Sequence, residues 1–246
     1  MKKFLISILA LQSSITFAAE KPALPTAYTT RNIEGLNVRI DNRLLAGESA
    51  PIGEQALKVL NAKLVDITLI VPEAPLAKLR GFTIEMDLNY GALSSMQYHG
   101  GVDWLKENGY SEDLAKCVHI PIAERLMSPS EHRRMPWAIL HELSHAYHDQ
   151  VLGYEESRVK AAWKKFCDSG KYKSVLTSLG HTQEHYGLTN QMEFFSEMTE
   201  AYFGSNDFYP FVTGELKQAE PETFALLEEI WGPLPGRPQP KTTAKP

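Results

Sequence analysis

The sequence predicts an α+β fold, with a small, mostly antiparallel sheet followed by a helical half. Three observations predict it. Residues 82–88 (Phe-Thr-Ile-Glu-Met-Asp-Leu) alternate apolar and polar side chains, the period of a strand with one face on a core and one in water. Residues 117–122 (Cys-Val-His-Ile-Pro-Ile) form a second β-rich run, and Pro121 argues for a sheet edge because proline cannot donate to the ladder. From residue 128 onward the apolar residues recur at helical spacing, with capping residues before them and glycines after them.

The elements follow in order. Residues 20–31 hold Pro and Thr and read as extended. Residues 33–45 read as a short strand or hairpin with Gly35 in its turn. Residues 51–64 place Ala56, Leu57, Leu60 and Leu64 on one helical face, and 75–79 give another helical turn. A loop rich in Gly and aromatics spans 90–104. Ser128-Pro129-Ser130-Glu131 has the cap, the first-turn proline and the third-position glutamate of a helix start. Pro136 restarts that helix, which stops near Gly153. Residues 155–168 make a second helix with Val159, Ala162, Trp163 and Phe166 inward and Gly170 at its end. Residues 190–203 and 222–231 make a third and a fourth, the last aligning Phe224, Leu227 and Trp231. Residues 232–246 carry five prolines and read as a disordered tail. No internal repeat is present.

With 43% hydrophobic residues in 246, the chain can bury a sizeable core. Its net charge of -5 and the lack of a basic stripe argue against a nucleic-acid partner. Lys2 and Lys3, the apolar run 4–11 and small residues up to Ala18 read as a signal peptide, 1–18. That predicts export, to the periplasm or beyond, and a domain spanning 19–231. The apolar run is far shorter than the ~20 residues a membrane span needs, and no other segment is long enough. The two cysteines, Cys117 and Cys167, fit either one disulfide or two buried thiols.

The chemistry centres on His141-Glu142-Leu143-Ser144-His145. Two histidines four apart on a helix project from one face, so both imidazoles can reach one metal ion. Glu142, one step round the helix, can take a proton from water that the metal acidifies. A catalytic zinc needs a third protein ligand. His148 would crowd a third donor onto one helix, and His148 and Val151 stand where a metzincin carries glycine and its third histidine. His181 and His185, also four apart, fit a second metal site or a polar surface pair. His119 fits a cleft or a structural role. Glu193 and Glu197 share a face of a later helix. Glu193 fits either a third ligand or a capping box with Asn190, and Glu197 and Glu200 fit a solvated face.

The pair His-Glu-x-x-His and Tyr-x6-Glu-Phe-Phe-Ser-Glu resembles the gluzincin peptidases related to anthrax lethal factor. The resemblance covers about residues 136–203 and departs at Ser196, where Ala is usual. It implies a zincin-like domain in which His141, His145 and Glu193 bind one zinc ion and Glu142 is the general base. It also implies that Tyr186 turns its hydroxyl toward the metal site and that Glu197 orients a ligand histidine from behind. The expected activity is that of an exported, monomeric zinc metallopeptidase acting on a peptide or protein. Its cleft would lie between the strand 117–122 and the motif helix. Two alternatives are a non-catalytic zincin-fold binding protein, which the intact Glu142 and Tyr186 oppose, and a zinc hydrolase of a non-peptide amide.

Overall fold

The structure, a computed structural model, describes residues 24–236. The leader read at 1–18 lies outside the described residues, as does the tail beyond 236. Strands β1 (Tyr28–Ile33) and β2 (Leu36–Asp41) pair antiparallel around Glu34-Gly35, whose φ angles of 52° and 91° suit a tight hairpin turn. Helix α1 (Ala50–Ile70) has Pro51 in its first turn and buries Ala56, Leu60, Leu64 and Ile67. It runs six residues past the predicted 64, because Ile67 continues the same buried stripe. Then come α2 (Glu73–Leu79), β3 (Thr83–Met86), β4 (Gln97–Tyr98), α3 (Val102–Glu107) and β5 (Cys117–Ile120).

The sheet order is β1-β2-β3-β5-β4, and its two central pairings, β2 with β3 and β3 with β5, are parallel. The sheet is therefore mixed, not mostly antiparallel. The cause is the connections: α1 and α2 carry the chain from β2 back over the sheet, and a crossover of that kind sets the next strand parallel. Two further expectations are corrected. β5 lies inside the sheet, between β3 and β4, and Pro121 falls just beyond its last residue, so no ladder bond is lost. The edge beside the motif helix is β4. The polar face of β3 is also dry, with Glu85 and Asp87 at 1% and 0% exposure. The segment between β3 and β5 folds over it, with Tyr90 edge-on to His119 at 4.8 Å.

The helical half begins with a 3₁₀ turn (Ala123–Met127) and α4 (Pro129–Arg134), whose Ser128 cap accepts from the Glu131 amide. It continues with α5 (Ala138–Tyr147), a π-helical turn (His148–Leu152) ending at Gly153, and α6 (Ser157–Asp168). A small hairpin of β6 (Val175–Leu176) and β7 (Thr182–Gln183) precedes a 3₁₀ turn (Tyr186–Leu188) and α7 (Gln191–Phe203). The chain closes with α8 (Thr213–Ala219), which the sequence reading missed, and α9 (Pro221–Trp231).

One core joins Val38, Ile84 and Val118 of the sheet to Leu60, Leu64, Leu140, Leu143, Met198 and Trp231 of the helices. The Trp231 ring lies tilted against Tyr147, centroids 4.3 Å apart, and donates to Thr199, pinning α9 against the two helices of the motif. Cys117 and Cys167 are free thiols. Cys117 is buried with its thiol toward the Asp113 and Ala115 carbonyls, whereas Cys167 sits on α6, which packs on α7 and α9. Among the described residues, no helix is long and apolar enough to cross a membrane.

Candidate metal centre

The centre is built by α5 packing against α7. Every α5 residue from Ile139 to Tyr147 is buried, and Ser144 returns its hydroxyl to the Leu140 carbonyl at 2.7 Å, so the helix carries no orphaned hydroxyl into the core. α7 starts at Asn190, whose side-chain oxygen accepts from the amides of Met192 and Glu193, both at 2.9 Å. Asn190 caps the helix alone. The Glu193 carboxylate is thereby released from capping and turns to α5.

There it meets both histidines. His141 Nε2 and His145 Nε2 are 3.1 Å apart, and Glu193 Oε2 is 3.2 Å from each. Three ligands at zinc-like distances and tetrahedral angles would stand about 3.3 Å apart. The tautomer of His141 matters here. Its Nδ1 is 2.7 Å from Glu200 Oε1, and with that nitrogen donating to Glu200, Nε2 is the nitrogen left to ligate a metal in place of a proton. With a carboxylate and a second imidazole aimed at the same point, the arrangement is electrostatically unfavourable until a cation fills it. Burial opposes a charge on His141, yet the hydrogen bonds to Glu193 and Glu200 outweigh it and raise its pKa well above the usual value. Burial likewise opposes a charge on Glu193, but its bonds to the two histidines bring it down to about 2. The donors are disposed to hold positive charge, and the set could hold a metal ion.

The residue behind His141 is Glu200, not Glu197, which stands 3.8 Å from Nδ1. Glu193, Glu197 and Glu200 share one face of α7, and neither Glu197 nor Glu200 is solvated as a surface reading supposes. Burial and the nearby Asp207 and Glu200 raise the Glu197 pKa well above normal, which favours its neutral form. Nothing in the sequence separated Glu200 from Glu197, because both fall within reach of the same helical face.

Glu142 lies beside the triangle. The Tyr98 amide of β4 donates to its Oε2 at 2.7 Å, leaving the other oxygen available. Burial raises its pKa, against the lowering effect of His145 and His141. Tyr98 is held in turn by its hydroxyl on Asp149 at 2.6 Å, and Lys116 pairs with that same oxygen. Tyr186 rims the cleft, 47% exposed, and burial together with the charge of Glu193 raises its phenol pKa, so it stays a proton donor.

The remaining histidines separate from the centre. His185 is buried and accepts from the Gly187 amide through Nδ1, while His181 is exposed, so they form neither a metal pair nor a surface pair. His148 is buried with no partner on either nitrogen. His119 is structural: it bonds Asp87 at 2.9 Å and His99 at 3.1 Å.

The cleft over the centre has a volume of about 910 Å³ and runs from β4 and Ile120 on one wall to the 175–183 hairpin on the other. That is near the top of the ~300–1,000 Å³ range of small-ligand sites, which suits a length of chain. Comparison with models of known protein families, with curated proteins and with solved structures finds no match for this chain.

Proposed function

We propose that the chain is an exported zinc-dependent peptidase with a zincin-like catalytic domain. In it, His141, His145 and Glu193 hold one zinc ion and Glu142 is the general base. The observation that carries this is the triangle of three potential ligand atoms, His141 Nε2, His145 Nε2 and Glu193 Oε2, with Glu142 beside it in the cleft. The resemblance of residues 136–203 to the lethal-factor-related gluzincins supports the same assignment.

The ion supplies the Lewis acidity that makes water a competent nucleophile near neutral pH. The residues of the chain do the rest. Glu142 accepts the proton of the attacking water on its free oxygen while the Tyr98 amide fixes the other. A general base placed in this way is worth ~10²–10⁴-fold in rate. Glu142 then delivers the proton to the leaving amine. Tyr186 donates its phenolic hydrogen bond to the oxygen that gains charge as the carbonyl is attacked. Glu200 keeps His141 in the tautomer that binds. A peptide adds in extended form along the free edge of β4, through main-chain hydrogen bonds.

The test has two parts. Purified protein is expected to contain about one zinc ion per chain. Digestion of a broad peptide library should give cleavage that disappears in Glu142→Gln while zinc stays bound. Cleavage that survives Glu142→Gln removes Glu142 from the mechanism. Full zinc occupancy with no cleavage of any peptide favours a non-peptide amide or a binding role.

A further inference from the structure

The flank of the cleft ahead of α5 has a charge that the centre does not use. Lys63 of α1 projects there, half-buried, and donates only to the Pro136 carbonyl at 2.9 Å. Among the described residues it forms no ion pair, and burial lowers the pKa of its ammonium against the opposing charge of Asp66, one turn along α1. Beside it, Arg125 and Arg134 share one carboxylate, Glu131, and Arg125 also reaches the Ser94 carbonyl on the approach to β4. All four side chains line the cleft. Of the described carboxylates around these three cations only Glu131 is in ion-pair contact, with Arg125 and Arg134, while Asp66 and Asp207 act on Lys63 and Arg134 from farther off.

A half-desolvated ammonium with a single carbonyl partner has hydrogen-bonding capacity left over, and a surface ion-pair network would not leave it so. Pro136 and Ala138 connect this flank directly to the turn that carries His141, so a group bound at Lys63 belongs to the same bound chain as the reacting bond. We propose that this flank is a carboxylate-recognising subsite, in which Lys63, supported by Arg125 and Arg134, selects peptides that carry a carboxylate on that side of the cleaved bond. The inference rests on the peptidase reading of the cleft. The carboxylate comes either from an Asp or Glu side chain or from the C-terminus of the substrate.

The test reads binding without turnover. Short fluorescent peptides are titrated into zinc-loaded Glu142→Gln protein. They differ only by Glu or Gln at one position, which is moved along the peptide, and have a free or an amidated C-terminus. In one register the Glu peptide, or the peptide with a free C-terminus, should bind about tenfold tighter than its neutral counterpart, the scale of a hydrogen bond to a charged group. The gain should shrink with added salt and vanish in Lys63→Met, which keeps the packed stem. Arg134→Gln, at an exposed position, should reduce it without affecting folding. A gain for amidated Glu peptides assigns a side-chain carboxylate, and a gain confined to free C-termini assigns the chain end. The proposal is overturned if charged and neutral peptides bind equally in every register, if discrimination survives both substitutions, or if no peptide binds. The peptidase reading fails separately: wild-type protein that binds acidic peptides but cleaves none sinks that reading and leaves the subsite, whereas cleavage indifferent to charge does the reverse.

Discussion

Two buried clusters of histidine and carboxylate lie in this molecule, one on the sheet and one between α5 and α7, and they behave in opposite ways. On the covered face of the sheet, Arg39, Glu85 and His119 stand side by side on adjacent strands, with Asp87 on His119. Glu85 is matched by Arg39 at 2.7 Å, and burial drives His119 down to about 3 while raising Asp87 to about 7. Both clusters bring three possible metal donors within 4.8 Å of one another. In the sheet cluster, however, Arg39 already supplies a cation to Glu85, and Asp87 is taken up by His119. Between α5 and α7 three potential ligand atoms converge on one point, and among the described residues no Lys or Arg is ion-paired with Glu193. Residue type does not distinguish a structural network from a candidate metal centre; what distinguishes them is whether the positive charge is already supplied.

The ligand series is the most direct way to break this comparison. Glu193→Gln should lose most of its zinc, because a neutral amide replaces the only anionic donor. Glu200→Gln should weaken zinc binding by ~10–100-fold, the usual cost of losing the group that orients a ligand histidine. Glu197→Gln should cost less than Glu200→Gln, since Glu197 stands 3.8 Å from His141 Nδ1 and Glu200 stands 2.7 Å from it. Glu85→Gln should leave zinc content unchanged. Metal analysis of the four variants ranks them, and a Glu85→Gln protein that loses zinc would collapse the distinction between the clusters.

Acid should act on the two clusters in sequence. Burial holds His119 neutral, down to about 3, and His99 neutral, down to about 4. Both values lie below the unfolded ~6.5, so each group contributes stability that is fully present above that pH. It is lost as pH falls through the folded values. Zinc affinity falls earlier, because protons compete directly for the ligand nitrogens. Zinc release, followed with a chromogenic chelator, should therefore precede the loss of helical circular dichroism on titration from pH 7 toward pH 4. Coincident transitions would mean that the metal holds the fold together and that the sheet network does not stand alone.

The sequence made the helical half legible because its signals are local. The cap at Ser128, the stop at Gly153, the Asn190 start and the aligned Phe224, Leu227 and Trp231 each needed only neighbours a few residues away. The sheet was less legible because its facts are non-local. Whether Glu85 and Asp87 face water depends on where residues 89–116 travel, and whether β5 is an edge depends on a two-residue strand at Gln97 that carries no periodicity. At the centre, His141, Glu142 and His145 are fixed by spacing on one helix. Glu193 needed the pairing of two helices, and Glu200 needed the side-chain rotamers as well.

The smallest effect tests the place where the two regions meet. β4 pairs Gln97 with His119 of the sheet network and, one residue on, gives the Tyr98 amide to Glu142. What holds this short edge strand in register is the Tyr98 hydroxyl on Asp149, shared with Lys116. Tyr98→Phe removes that hydroxyl and leaves the ring, so the amide can drift from Glu142 without any change in the metal ligands. A hydrogen bond to a charged group is worth ~1.5–3 kcal/mol, and partial solvation at this site should keep the loss near the lower end. The expected result is a fall in kcat of about tenfold at unchanged zinc content. Asp149→Asn should fall by less, because the amide oxygen still accepts from the tyrosine. If Tyr98→Phe changes KM and not kcat, the strand serves only to bind the substrate, and Glu142 is positioned by α5 alone.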